Sequence, residues 1–287
     1  MAVFCRAGVP DLRQSVPLRR YRASLNDASH LVDCPLTNSK SLSCILPQVH
    51  VSTFENERNN RGTSVAEHHP LVGLDEQIAE LRETGVYFFQ RGWSVGTSSN
   101  YSVILDRGPC ELLVTASGKD KGRLTERDFV RVGQDGTPVV PNQPKSSAET
   151  LLHCVVAQEL EVGAILHTHS VWATLLSNLY FSEGAVKLEG YEMLKGLAGV
   201  DTHEHRVRLE IFENTQDIPI LAEQVRKRLN DPANPLRYGY LIRRHGMYTW
   251  GRDLEEARRH IEVLEFLLEC EGRRLMLEGS VSRNVST

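Results

Sequence analysis

Residues 163–170 read GAILHTHS, an apolar run that ends in two histidines separated by a single threonine. Residues i and i+2 of a β-strand point to the same side, so a strand here presents His167 and His169 to one face. Two imidazoles on one face suit a zinc or similar divalent ion, whereas the alternative is a pair of polar histidines at a strand end. The segment after Gly163 therefore predicts a buried strand that ends in two metal ligands.

A catalytic zinc site typically uses three protein ligands and keeps one position open, so a third ligand is expected. His245 is preferred because RRHGMYTW places it at a turn between two apolar strands, where a sheet can bring it beside His167. His153 lies on the predicted helix before the histidine strand. His203 and His205, in the charged segment DTHEH, repeat the spacing and remain the weaker rivals.

Helical and strand periodicities alternate along most of the chain. Helices are predicted at about 75–91, 148–161, 171–178, 189–197, 220–229 and 253–277. Strands are predicted at 101–105, 111–115, 164–169 and 208–213, and a β-hairpin at 238–251. This mixture of elements predicts an α/β or α+β fold with a central sheet flanked by helices.

The composition argues against several classes of protein. The formal net charge is -4, and no basic patch is interleaved with aromatic residues, so nothing indicates a nucleic-acid surface. No apolar run approaches the roughly 18 residues that a transmembrane helix needs. The six cysteines are scattered without a CxxC pair, which argues against a disulfide framework and favours a reducing compartment.

Residues 1–72 differ in composition from the rest of the chain. They are rich in Ser, Arg and Asn and lack periodicity, which predicts a disordered N-terminal extension. Arginines near the N-terminus also fit a transit peptide, although an unstructured tail or a misplaced start codon is favoured. A catalytic domain is expected at 73–279, followed by a disordered tail at 280–287.

Two loops of small residues beside predicted strands are equipped to bind an anion. Residues 96–102 (GTSSNYS) and 115–122 (TASGKDKG) offer backbone N–H groups, hydroxyls and the nearby Lys119. Together with Ser146 and Ser147, these loops predict a phosphorylated substrate.

Two glutamates are candidates for an acid–base residue. Glu149 follows Ser147 at the start of the helix before the histidine strand, and Glu192 lies in GYEMLKGL. Either residue also fits an ordinary surface glutamate on a helix, and spacing alone does not choose between them.

Six segments in this order resemble the class II aldolase/adducin superfamily: GTSSNYS, TASGKDKG, SSAETLLH, GAILHTHS, YEMLKG and RRHGMYTWG. Within it, HTHS, EMLKG, IFENT, RRHG and YTWG are similar to the dehydratases that act on 5-methylthioribulose 1-phosphate. The resemblance covers about residues 74–277. It implies a single αβα domain with a central, mostly antiparallel sheet, commonly assembled as a homotetramer with active sites between subunits.

The resemblance also implies roles for particular residues. One Zn²⁺ per subunit is held by His167, His169 and His245. Glu192 is the acid–base residue by similarity to the dehydratases, and Glu149 is the alternative by similarity to the aldolases and a further substrate contact. Phosphate contacts in the aldolases map onto Asn100, Ser117, Gly118 and Ser147. The sequence departs from two patterns here, since Ala148 replaces the second serine of the aldolases and the cysteine of animal dehydratases is absent.

The implied activity is zinc-dependent dehydration of a phosphorylated ketose, 5-methylthioribulose 1-phosphate, to 2,3-diketo-5-methylthiopentyl 1-phosphate. It belongs to methionine salvage in the cytoplasm and needs no nucleic-acid or membrane partner. A class II sugar-phosphate aldolase or epimerase is the alternative on the same fold. An adducin-like interaction domain would share the fold without catalysis, and it predicts a degraded metal site.

Overall fold

The computed structural model describes residues 70–285. The predicted extension at 1–72 therefore lies almost entirely outside the described residues, as do residues 286–287 of the predicted tail. The helices are α1 (Asp75–Gln90), α2 (Thr150–Glu159), α3 (Val171–Leu179), α4 (Ile218–Leu229) and α5 (Leu254–Val285). The strands are β1 (Asn100–Arg107), β2 (Cys110–Thr115), β3 (Phe129–Gly133), β4 (Ala164–Thr168), β5 (Ala185–Leu188), β6 (Val207–Phe212), β7 (Gly239–Ile242) and β8 (Gly246–Gly251).

The strands form one sheet in the order β3-β2-β1-β4-β8-β7-β6-β5. Neighbouring strands are antiparallel except β6 and β7, which are parallel. Apolar residues of α1, α3 and α5 cover one face, and those of α2 and α4 cover the other. The predicted α/β class, with a mostly antiparallel sheet between helices, is confirmed. None of the helices between residues 70 and 285 combines the length and the apolar character that crossing a membrane requires.

The histidine strand β4 lies near the centre of the sheet, between β1 and β8. Its side chains alternate, so that Ile165 packs on the side of α2 and α4 while Leu166 packs on the side of α5. Thr168, also on the α5 side, donates a hydrogen bond of 3.1 Å to the buried Glu265 Oε1. Gly163 precedes the strand because a Cβ atom there would lie 2.2 Å from the Arg252 carbonyl oxygen. The close approach at Gly163 thus holds the start of β4, and the Thr168–Glu265 hydrogen bond holds the end that carries the histidines.

Several predicted boundaries differ from the structure. The short strands β3 and β5 were not anticipated, because a strand of four or five residues carries little periodicity. The helix predicted at 189–197 is only a 3₁₀ turn at Glu192–Gly196, which packs closely on α5. Helix α5 continues to Val285, past the predicted end at 277 and into the segment predicted as a tail.

Candidate metal centre and substrate cavities

The three histidines predicted as metal ligands converge at one end of the sheet. His167 lies in β4, His169 directly follows it, and His245 lies in the turn between β7 and β8. The Nε2 atoms of His167 and His169 are 2.8 Å apart, and those of His169 and His245 are 3.1 Å apart. Glu149 completes the group, with Oε1 3.2 Å from His245 Nε2, and all four ligand atoms lie within 4.8 Å of one another.

The protonation of these rings fits a divalent cation. His167 Nδ1 lies 2.9 Å from the Met247 carbonyl oxygen, which can only accept, so Nδ1 carries the proton and Nε2 presents a lone pair. Burial lowers the pKa of His167 well below its usual value, lowers that of His169 to about 3 and lowers that of His245. The neighbouring rings lower the first two further. Three neutral imidazoles and one carboxylate form a donor set that zinc and similar ions accept.

The rival ligands lie elsewhere. His203 Nδ1 is 3.6 Å from Glu192 Oε2, and His205 lies in the same charged segment. Glu192 is 72% exposed and also pairs with Lys195, which is the main reason for its lowered pKa. Among the described residues, the group that could hold a metal contains Glu149 and not Glu192. One copy of the chain therefore brings together the three predicted ligands and Glu149, and leaves Glu192 at the surface.

The start of α2 places the carboxyl group of Glu149 beside the three histidines, and these four potential ligands are named the metal cluster. Glu149 is the N-cap residue of this helix, and its side chain makes no capping hydrogen bond. Burial raises the pKa of its carboxyl group above the usual value. A partly buried carboxyl group with a raised pKa, beside potential metal ligands, is suited to take up and return a proton.

Three cavities meet at His245. The smallest has a volume of about 130 Å³. It is named the serine cavity because hydroxyl side chains, the Asn100 amide and Gly118 form most of its wall. Its lining residues are Thr97, Ser98, Ser99, Asn100, Thr115, Ala116, Ser117, Gly118, Ser147, Glu149, His169 and His245. The aliphatic cavity, of about 250 Å³, contains Ala148, Ile218, Leu221 and Ile242. The arginine cavity, of about 500 Å³, contains Val95, Thr174 and Arg244. Every phosphate-binding residue predicted from the resemblance lines the serine cavity.

A buried hydrogen-bond chain orients the Asn100 amide in the serine cavity. His153 Nε2 lies 2.6 Å from Asn100 Oδ1, and Ser102 Oγ lies 2.8 Å from His153 Nδ1. Burial lowers the pKa of His153 to about 3, so the ring is neutral and carries one proton. Since Asn100 Oδ1 can only accept, that proton is on Nε2, and Nδ1 accepts from the Ser102 hydroxyl. The Asn100 Nδ2 donors are thereby left available to an anion, and His153 has a role other than metal ligation.

Neither lysine of the segment GKDKG lines the serine cavity. Lys119 forms an ion pair of 2.8 Å with Asp128 and does not line the serine cavity. Lys121, which was not singled out from the sequence, is 1% exposed and donates to the Lys119 carbonyl oxygen at 2.8 Å. Burial lowers its pKa to about 8, and its charge lies near enough to lower the pKa of His169. The sequence signal that could have identified Lys121 is a second lysine in the glycine-containing segment GKDKG.

Residues 79–271 match the family model described as the class II aldolase and adducin N-terminal domain. The chain belongs to this family. The fold agrees with solved members: an L-fuculose-1-phosphate aldolase from Thermus thermophilus has a TM-score of 0.56 over 70% of this chain and 96% of its own, at 23% identity. A second L-fuculose 1-phosphate aldolase also has a TM-score of 0.56, at 22% identity. At these identities the likeness shows the class II aldolase fold alone.

Curated relatives within the family are more similar in sequence. A methylthioribulose-1-phosphate dehydratase from Marinobacter nauticus is 50% identical over 190 residues, which are 66% of this chain and 89% of that protein. One from Xanthomonas campestris pv. campestris is 46% identical over 218 residues, 75% of this chain and 94% of that protein. The resemblance to the dehydratases inferred from the motifs is confirmed.

The hydrogen-bond chain through His153 predicts a selective effect on phosphate binding. The variant His153→Leu should raise KM for a phosphorylated substrate roughly 10-fold, because the Asn100 amide loses the partner that orients it. His153→Gln should keep KM close to that of the unaltered protein, since the glutamine amide nitrogen can donate to Asn100 Oδ1. Steady-state kinetics and competitive inhibition by inorganic phosphate measure the effect, with bound metal quantified in each variant. Equal KM values for the two variants, or loss of metal from both, would contradict this role.

Proposed function

We propose that the chain is a zinc-dependent hydro-lyase that converts 5-methylthioribulose 1-phosphate to 2,3-diketo-5-methylthiopentyl 1-phosphate in methionine salvage. The observation that carries the proposal is the convergence of three neutral histidines and Glu149 beside the serine cavity. The relatives at 50% and 46% identity are named methylthioribulose-1-phosphate dehydratases, and their names indicate the identity of the proposed substrate. The homotetramer and the cytoplasmic location remain predictions.

The proposed reaction removes the C3 proton and the C4 hydroxyl of the ketose as water. A zinc ion held by His167, His169 and His245 would polarise the C2 carbonyl and so acidify the C3 proton. A carboxylate accepts this proton and returns it to the C4 hydroxyl, which leaves as water, and the resulting enol tautomerises to the 2,3-diketone. Glu149 lies beside the ligand atoms, where it can contact the substrate hydroxyls.

The serine cavity is the proposed site of the phosphate group. Asn100 is the register partner of His167 across β1 and β4, so the cavity adjoins the metal ligands. Gly118 has a φ of +70°, a conformation that favours glycine and exposes its backbone in the loop. Hydroxyls of Ser117 and Ser147, with the Asn100 amide, add donors for the phosphate oxygens. A phosphate bound there would hold the substrate carbons C2 to C4 beside the three histidine ligands.

The acid–base role predicted for Glu192 requires a second copy of the chain, because Glu192 lies at the surface of its own copy. Active sites between subunits, as the resemblance implies, would allow Glu192 of one subunit to act on the substrate bound by another. The alternative assigns the role to Glu149, which is the carboxylate present at the cluster within one copy. Its raised pKa is consistent with proton transfer.

Subunit mixing distinguishes these two assignments. Glu192→Gln should lower kcat by roughly 10²–10⁴-fold with bound zinc retained, the usual effect of losing an acid–base group. Co-expression with His167→Ala subunits, which lack a metal ligand but keep Glu192, should restore activity above that of either parent. Glu189→Gln, at another exposed glutamate three residues away, is the matched control and should keep normal turnover. Near-normal turnover of Glu192→Gln together with loss in Glu149→Gln would assign the role to Glu149.

A sugar-phosphate aldolase is the second candidate, and the position of Glu149 favours it. In the aldolases the acid–base glutamate follows the serine pair, and this position corresponds to the glutamate that the structure places at the metal cluster. An adducin-like interaction domain receives less support, since the group of potential metal ligands is complete.

An NMR assay of the purified protein with 5-methylthioribulose 1-phosphate tests the proposal. We expect the 2,3-diketone to form, and its formation to stop when a chelator removes the metal and to resume when zinc is restored. A triose phosphate and an aldehyde as products would identify an aldolase instead. Absence of turnover in protein shown to contain zinc would reject this substrate.

A further inference from the structure

The aliphatic cavity has no role in the chemistry described so far. It opens beside His245 and Glu149, and its apolar wall is formed by Ala148, Ile218, Leu221 and Ile242. The polar residues Ser147, Asn214, Thr215 and Gln216 complete its lining. With a volume of about 250 Å³, it is roughly twice the size of the serine cavity, at about 130 Å³.

The apolar wall of this cavity belongs to fixed elements of the fold. Ile242 ends β7 and is 1% exposed, and Leu221 lies in α4 and is likewise 1% exposed. Ile218 is the first residue of α4, and the side chain of Asp217 caps this helix by accepting a hydrogen bond of 3.3 Å from the Ile220 backbone N–H. Ile218 also packs against the apolar cluster beneath α2 and α4. A wall built on capped helix and paired strand is suited to hold a ligand group in one position.

The serine and aliphatic cavities share Ser147, Glu149 and His245, so they meet at the metal cluster. A substrate with its phosphate in the serine cavity and its reacting carbons at the cluster can direct its other end into either of the two further cavities that reach His245. In the proposed substrate that end is a methylthio group. A thioether is apolar and only a weak hydrogen-bond acceptor, so aliphatic side chains suit it better than polar ones.

The arginine cavity is the competing location for this end of the substrate. It also reaches His245, but Val95 is the only aliphatic residue of its lining, beside Ser98, Thr174 and Arg244. The exposed guanidinium of Arg244 would face the thioether without forming a strong hydrogen bond to it. The chemistry of the two linings therefore favours the aliphatic cavity.

We propose that the aliphatic cavity is the subsite for the methylthio group, and that Ile218, Leu221 and Ile242 select a thioether tail over a shorter or polar one. This inference rests on the proposed function and deepens it. Ala148 contributes to the same wall, so its departure from the serine of the aldolase pattern removes a hydroxyl from the cavity. Such a subsite would give the site a selectivity for the thioether tail that the metal cluster alone does not provide.

The test compares kcat/KM for 5-methylthioribulose 1-phosphate with kcat/KM for 5-deoxyribulose 1-phosphate, which lacks the methylthio group. In Ile218→Ala the ratio of the two should fall by roughly 10-fold, the scale of discrimination that an apolar pocket gives per small group. Ile218→Val and Ile218→Thr form a matched pair of equal shape, and the threonine variant should show the lower ratio because it adds a hydroxyl. Val95→Ala, in the arginine cavity, should leave the ratio unchanged. Ile218 is half-buried, so these variants keep the core residues of α4 intact.

The outcomes separate the subsite from the proposed function. Turnover by the unaltered protein, with a ratio that falls only in the Ile218 variants, supports the subsite. Normal turnover with the same ratio in all variants overturns the subsite and leaves the dehydratase proposal intact. A ratio that falls in Val95→Ala instead places the tail in the arginine cavity and also overturns the subsite. No turnover of either compound by the zinc-loaded protein overturns both.

Discussion

The antiparallel pairing of β4 with β8 is the constraint on which the site depends. In this register His167 faces Tyr248 and Thr168 faces Met247, so that the turn before β8 brings His245 beside the end of β4. The pairing leaves no room for a side chain at Gly246, where a Cβ atom would lie 2.0 Å from the Thr168 carbonyl oxygen. The same ladder supplies the Met247 carbonyl oxygen that fixes the His167 tautomer. Backbone geometry thus determines the position of the ligands and the tautomer of His167.

Burial then determines the chemistry of the cluster. The His167 ring is fully buried and stacks on Tyr248 with their centroids 4.0 Å apart, and Tyr248 stacks in turn on Tyr240 at 5.0 Å. In this environment a protonated imidazole is costly, so the three rings present lone pairs instead of positive charge. Lone pairs held within about 3 Å of one another repel unless a cation or a proton lies between them. The fold therefore provides a concentrated set of donors that a divalent ion would stabilise.

The parts of the site that follow local rules could be predicted from the sequence. Alternation along a strand places His167 and His169 on one face, and a hairpin turn brings His245 toward them. The parts that depend on packing between distant segments could not. The aliphatic cavity combines Ala148, Ile218 and Ile242, which are far apart in the chain. The role of His153 required the distance to Asn100, and the surface position of Glu192 required the packing of its 3₁₀ turn on α5.

Zinc-edge X-ray absorption of the purified, zinc-loaded protein is the most direct test of the central claim, that His167, His169 and His245 bind one divalent ion. The account predicts one zinc ion per chain with three imidazole nitrogens at about 2.0–2.1 Å, and a loss of one nitrogen or of the zinc in His245→Ala. Sulfur coordination, or a spectrum and stoichiometry that His245→Ala does not change, would contradict it.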